Sequence, residues 1–197
     1  MSTRKIIIFN GHPASSSLSK SLCSAYQTAA VGEGHQVRYH DLSAMNFDID
    51  YGQAGYQNAK PLEPDLAVFL EDLEWADHVV LATPMWWGAL PAKLKGVFDR
   101  SFLPGYAFDT RNVNFIGLPA PMLTGKTARV LLTSDTSALW LRLIYGNAVK
   151  RVISSQILGF VGIKPTRFSS FAPATDASEA TVKSWLRKAA GLGAKAA

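Results

Sequence analysis

Within the stretch NGHPASSSLSK, four hydroxyl residues (Ser15, Ser16, Ser17 and Ser19) lie just after His12 and just before a helix-like run. Hydroxyls beside the free N–H groups of a helix's first turn suit an anion such as phosphate. One of these serines can equally be no more than the helix N-cap. His12 titrates near neutrality and follows an apolar run, which suits it to anion contact rather than the core. The loop is neither a G-x-G-x-x-G nor a Walker P-loop. A second group, Pro84-Met85-Trp86-Trp87-Gly88, places two indoles directly after the apolar run HVVLATP. They read as a flat wall for a planar ligand, or as core plugs or an oligomer contact. A third group, Thr133-Ser134-Asp135-Thr136, follows ARVLLTS. It can hydrogen-bond the edge of a polar heterocycle, or it is an ordinary turn.

What positions these groups is a repeating β/α pattern. Five β-like runs cover 4–10, 36–40, 78–84, 128–134 and 166–172. The first, third and fourth are nearly continuous in Ile, Val and Leu, as in strands covered on both faces of a parallel sheet. Helical spacing links Leu18, Leu22, Ala25, Tyr26, Ala29 and Ala30, and again Leu66, Phe69, Leu70 and Leu73. Pro91 can open the helix holding Leu94, Val97 and Phe98. A further helix is expected over about 144–159, and a last one from Asp176, with Glu179 completing a capping box. The expectation is a single domain, 1–197, of α/β class: a flavodoxin-like three-layer sandwich with a five-stranded parallel sheet in the order 2-1-3-4-5. The segments 44–63 and 104–125 are long excursions able to cover a site. In such a sheet ligands lie beyond the carboxyl ends of the strands. The three groups therefore meet there, and phosphate donors, a flat apolar wall and polar edge-binders together describe a flavin pocket.

Composition narrows the classes. The chain has 197 residues, a formal net charge of +5 and 48% hydrophobic residues, which suits one globular domain. Its basic residues are dispersed, so no nucleic-acid stripe is expected. No run of about 18 apolar residues is present, so no membrane insertion is expected. One cysteine, Cys23, excludes an internal disulfide, and the four histidines show no zinc spacing, so no metal is expected. A cytoplasmic protein is the simplest reading. Cys23 reads as a small buried hydrophobe within the first helix, and Asp99 and Arg100 as a solvated helix face or an interface contact.

The segment ADHVVLATPMWWGALPAKLKGVFDRSFLPGYAF, with NGHP, DLSAMNFD (41–48) and ILGFVGIKP (157–165), resembles the NAD(P)H:quinone oxidoreductases. This is the flavodoxin-like family that includes DT-diaphorase and its bacterial relatives, and the chain is similar to the short bacterial branch. The likeness runs over nearly the whole chain and is most specific over 76–108. It implies a non-covalent flavin, FAD or FMN, with NAD(P)H as co-substrate and a quinone-like acceptor reduced by hydride through flavin N5. It implies His12, Ser17, Leu18 and Ser19 at the phosphate side and Pro84, Met85, Trp86, Trp87 and Gly88 at the isoalloxazine ring. Thr133, Ser134, Asp135 and Thr136 would take the pyrimidine edge and ribityl region. Phe108 resembles an aromatic that walls the substrate pocket, with a core role as its alternative. Trp140 is a second candidate for lining that pocket, or else packing. Asp135-Thr136 stands where eukaryotic members have Gly-Gly, and SALWLRLIYGNA lacks the histidine of their Tyr/His pair, so no catalytic proton-handling residue is assigned. The resemblance further implies a homodimer, with residues of the 106–112 and 44–63 loops reaching the partner. The alternatives are an azo or nitro reductase of the same fold, a flavodoxin-type electron carrier, and a regulatory partner of a potassium-efflux system. The basic charge and MWWGALP weigh against the carrier, and the lack of a membrane-facing amphipathic stretch against the regulator.

Overall fold

The computed structural model describes residues 3–52 and 59–197. In the first half, β1 (Lys5–Asn10), α1 (Leu18–Gly32), β2 (Gln36–Asp41), α2 (Pro64–Trp75), β3 (His78–Pro84) and α3 (Ala92–Ser101) alternate. There follow β4 (Phe108–Val113), β5 (Pro119–Pro121), β6 (Thr127–Thr133), α4 (Ala138–Leu143), α5 (Ala148–Arg151), β7 (Thr166–Phe171) and α6 (Glu179–Gly193). The main sheet is parallel with order β2-β1-β3-β6-β7. Once the β4–β5 hairpin is set aside, this is the expected 2-1-3-4-5 arrangement.

Alternation along each strand divides the core between two helical layers. Ile7 and Phe9 of β1, Val79 and Leu81 of β3, and Val130 and Leu132 of β6 pack on the side of α2 and α3. Ile6 and Ile8, Val80 and Ala82, and Leu131 face α1 and α6 instead. Cys23 is fully buried in that second layer, as its position in the first helix led us to expect. At the close approach of α6 to α1, a Cβ on Gly193 would lie 2.2 Å from the Tyr26 carbonyl oxygen. Among the described residues, no helix is long and apolar enough to cross a membrane.

Several local expectations change. The helix expected over 144–159 is split, because Gly146 and Asn147 take positive φ (53° and 54°), which an α-helix cannot contain. The chain forms α4 earlier, then α5, which runs into a π-turn over Val152–Ile157. The last helix is capped by Ser178 and not by Asp176: the Ser178 hydroxyl accepts from the Thr181 N–H at 3.2 Å. Glu179 becomes the first helical residue, where a carboxylate suits the positive end of the dipole. The excursion 104–125 contains the β4–β5 hairpin. Of the 44–63 excursion, residues 53–58 lie outside the described residues.

Arg100 is a correction as well. It is not on a solvated face but 2% exposed. Its guanidinium pairs with Glu63 at 3.0 Å and donates to the carbonyls of Asp48 and Pro61, tying down both arms of the 44–63 segment. Asp99 does sit on the surface, paired with Lys95 one turn away.

Candidate active site

The loops beyond the carboxyl ends of β1, β3, β6 and β7 converge. His12, Leu18 and Ser19 from the first, Pro84, Met85 and Trp86 from the second, and Thr133, Ser134 and Asp135 from the third line one crevice of about 230 Å³. The first and third loops touch where the Ser19 and Thr133 hydroxyls lie 3.4 Å apart. Ser17 is the N-cap of α1, its hydroxyl accepting from the Lys20 N–H at 3.1 Å. The serine that serves as a cap is therefore Ser17, and it stands beside the crevice rather than in its lining. Leu18 and Ser19, as the first two residues of α1, keep N–H groups with no intrahelical acceptor. Lys20 is committed to Asp41 at 2.8 Å. The α1 end of the crevice thus offers hydroxyls and N–H groups, with no Lys or Arg among its lining residues.

The indoles are exposed because of the turn that carries them. Trp86 and Ala89 exchange both backbone hydrogen bonds, at 3.0 and 2.9 Å, around Trp87 at φ 51° and Gly88 at φ 74°. Positive φ at both central residues is a type I′ turn, which favours Asn-Gly over a bulky side chain. Holding Trp87 left-handed costs about 1–2 kcal/mol, and its side chain gains no burial in return, being fully exposed. Trp86 is 44% exposed and meets the His12 ring edge-on, with centroids 5.5 Å apart. Partial burial holds the His12 imidazole below its ordinary titration range. Its Nδ1 accepts from the Ala14 N–H at 3.0 Å, a bond that requires that nitrogen unprotonated. A neutral ring in this tautomer carries its proton on Nε2, as a donor.

Asp135 closes the third side. Its carboxylate accepts from the Ala174 N–H at 3.0 Å, the Thr175 N–H at 2.7 Å and the Thr175 hydroxyl at 2.8 Å. The bonds from Thr175 hold its carboxyl below the usual carboxylate range. This staple brings Ala174 and Thr175 into the crevice lining. Sequence reasoning missed both; the signal available was only that they follow the last strand at the same edge. The backbone also limits which N–H groups are offered. Those of Met85, Trp86 and Ser134 are taken by Thr133, Ala89 and Phe171 carbonyls respectively. Those of Trp87, Gly88, Asp135 and Thr136 find no acceptor among the described residues.

Met85 and Asp135 also border a second hollow of about 520 Å³, continued by Trp87, Gly88, Thr136, Leu141, Tyr145, Ala148 and Val149. Every one of the thirteen expected cofactor residues except Ser17 thus borders one hollow or the other. The two expected substrate residues do not. Phe108 is 6% exposed in the core, edge-on to Phe160, and borders a separate aromatic cleft with Phe98 and Phe102. Trp140 is 55% exposed on α4, whose Leu141 turns inward in its place. Tyr145 is the phenol that the fold brings to the second hollow. An end with uncommitted N–H and hydroxyl donors, a flat apolar wall, polar edges and an adjoining hollow have the shape and chemistry to take a planar polar ligand next to a second one.

A family model described as a flavodoxin-like fold matches residues 4–190. An uncharacterized NAD(P)H oxidoreductase of Haemophilus influenzae is 32% identical over 116 residues, 57% of this chain and 57% of its own length. The NAD(P)H dehydrogenase (quinone) 1 of Rattus norvegicus is 28% identical over 186 residues, 83% of this chain and 67% of its own length. The solved NAD(P)H:quinone oxidoreductase of Methanothermobacter marburgensis has a TM-score of 0.80 at 25% identity, covering 99% of this chain and 96% of that one. The chain spans 57% of the length of the Haemophilus protein and about two thirds of that of the rat enzyme.

Proposed function

The chain belongs to the flavodoxin-like fold family, and from that premise we propose that it is a flavin-dependent NAD(P)H oxidoreductase passing two electrons to a quinone-like acceptor. The observation that carries this reading is the strained turn holding Trp87 open at the junction of the two hollows. A one-electron carrier needs a cofactor crevice alone; the adjoining hollow of about 520 Å³ favours an enzyme that admits a second reactant. The names of the rat and Methanothermobacter relatives support the same assignment.

The residues present fit a flavin. The uncommitted N–H groups of Leu18 and Ser19 and the serine hydroxyls suit its phosphate, and Trp86 and Met85 offer an apolar ledge for its ring. A bound flavin supplies hydride acceptance and release at that ring. The protein's own contribution is orientation, exclusion of water and fixed dipoles. The free N–H groups of Asp135 and Thr136 point to where charge on the pyrimidine edge would be stabilised. His12 Nε2–H is a neutral donor on the phosphate side. Trp87 and Leu141 wall the second hollow, where nicotinamide and acceptor would bind in turn.

Heating the purified protein and weighing the released chromophore tests the reading, with FMN or FAD expected. Protein that retains neither after incubation with both would end it. Steady NAD(P)H oxidation without a separate reductase is expected, and its absence would reassign the chain as a carrier. Parallel assays with quinones, azo dyes and nitro compounds rank the acceptors; turnover of an azo dye above every quinone would move the substrate class. A homodimer and a cytoplasmic location belong to the same proposal. A monomeric mass with full activity would dismiss the dimer.

A further inference from the structure

The segment that supplies one side of the second hollow carries a charge pattern that flavin binding does not use. Between Thr136 and Thr175 the sequence has no aspartate or glutamate, while Arg142 follows the lining residue Leu141 directly, and Lys150 and Arg151 follow the lining residues Ala148 and Val149. Lys150 is turned away, with its ammonium over the Phe168 ring at 6.0 Å. Arg142 and Arg151 are exposed, and neither guanidinium has a carboxylate or other partner among the described residues. Arg151 follows Ala148 by three positions, so it shares that residue's helix face. Its guanidinium folds back toward the preceding turn, 3.7 Å from where a Cβ on Gly146 would stand, and Gly146 follows Tyr145 directly. The one acid that borders the hollow, Asp135, is committed to Ala174 and Thr175.

We propose that Arg151, with Arg142, is a phosphate-recognition rim that selects and orients the dinucleotide co-substrate; this rests on the oxidoreductase reading above. A hydride donor must place its nicotinamide in the hollow beside Trp87. The rest of the dinucleotide then emerges through the mouth, and its phosphates pass the two free guanidiniums. A guanidinium fork matches a phosphate with two parallel charge-assisted hydrogen bonds. Two phosphate sources are available: the pyrophosphate common to NADH and NADPH, and the 2′-phosphate of NADPH alone.

The test compares three donors in wild type, Arg151→Ala, Arg142→Ala and the double variant: NADPH, NADH and the phosphate-free 1-benzyl-1,4-dihydronicotinamide. Removing charge-assisted contacts at an exposed rim is expected to lower kcat/KM for the phosphate-bearing donor about tenfold in the double variant, mostly through KM. The loss with the phosphate-free donor is at least fivefold smaller, by the same estimate. A loss confined to NADPH assigns the 2′-phosphate, and an equal loss with NADH assigns the pyrophosphate. Arg151→Lys, which keeps the charge and loses the fork, should fall between. Raising ionic strength should weaken wild type toward the double variant. Calorimetric titration of the flavin-containing protein with 2′-phospho-ADP-ribose and with ADP-ribose gives a readout independent of turnover. Equal losses for all three donors, or no loss together with unchanged titrations, would overturn the rim. If wild type oxidises no donor at all, the oxidoreductase reading fails, and the titrations alone still decide whether the rim binds phosphate.

Discussion

His12 and His78 stand at opposite ends of the same sheet, and their surroundings differ in every respect that matters for function. His12 lies past the carboxyl end of β1, edge-on to a half-exposed Trp86, with a ring proton free to donate into a crevice. His78 opens β3 at the amino end, is 2% exposed, and bonds through Nδ1 to the Thr127 hydroxyl at 2.7 Å. Its Nε2 has no partner among the described residues. Burial, reinforced by Arg4, Arg129 and Arg167, lowers its pKa to about 3. There α6 ends against the middle of α1, Gly193 on Tyr26, and Arg4 donates to the Ala196 carbonyl at 2.8 Å. The comparison assigns different tasks to the two ends. The amino end is closed and holds the layers together; the carboxyl end leaves donors and rings unsatisfied and reachable, as a binding site requires.

The sharpest way to break that contrast uses two glycines. Gly193→Ala drives a Cβ into the Tyr26 carbonyl, and overpacking at so tight a helix contact should cost about 3 kcal/mol, measured as a lower denaturation midpoint with a normal flavin content. An unchanged midpoint would show that the closed end is looser than its contacts imply. His78 comes next. Its folded pKa lies below its unfolded value near 6.5, so the unfolded state takes up protons first as pH falls. Stability is therefore full above about pH 6.5 and declines toward the folded pKa, by about 2 kcal/mol between pH 6.5 and 4.5. His78→Gln should flatten that limb of a urea-stability profile, and His12→Gln, which removes a less deeply buried imidazole lowered in the same direction, should flatten it less. The smallest stability effects belong to the open end. Gly88→Ala meets no atom within 4 Å but must hold φ 74°, a strain of about 1 kcal/mol. Trp87→Gly relieves its own strain and should leave stability within about 1 kcal/mol of wild type while flavin retention falls. A Trp87→Gly protein that keeps its flavin and turnover would remove the functional reason for the strained turn.

The layers were legible because buried parallel strands are written as apolar runs: IIIF and VVLAT announce β1 and β3, and the site followed from their carboxyl ends. The crevice residues were legible for the same reason, since loop position fixes them once the strands are placed. What stayed hidden depends on contacts between distant segments. Nothing local to Asp135 says that its carboxylate will meet the Ala174 and Thr175 amides, so that pair was overlooked. Arg100 reads as a surface helix residue until Glu63 and two carbonyls surround it. Phe108, read as a pocket wall or a core residue, packs against Phe160, and Trp140, read as pocket lining or packing, stays exposed next to the buried Leu141. The left-handed pair Gly146-Asn147, which redirects the chain into α5 next to Tyr145 at the second hollow, has only Gly-Asn as a local cue.

Cys23 has a practical consequence. It is fully buried, and that burial pushes its thiol well above the ordinary range, so it stays protonated and inert. Alkylating reagents should leave the native protein's one thiol untouched. A second cysteine engineered on a surface loop would then be the sole reactive handle, and a single dye could be attached there without first mutating the original one away.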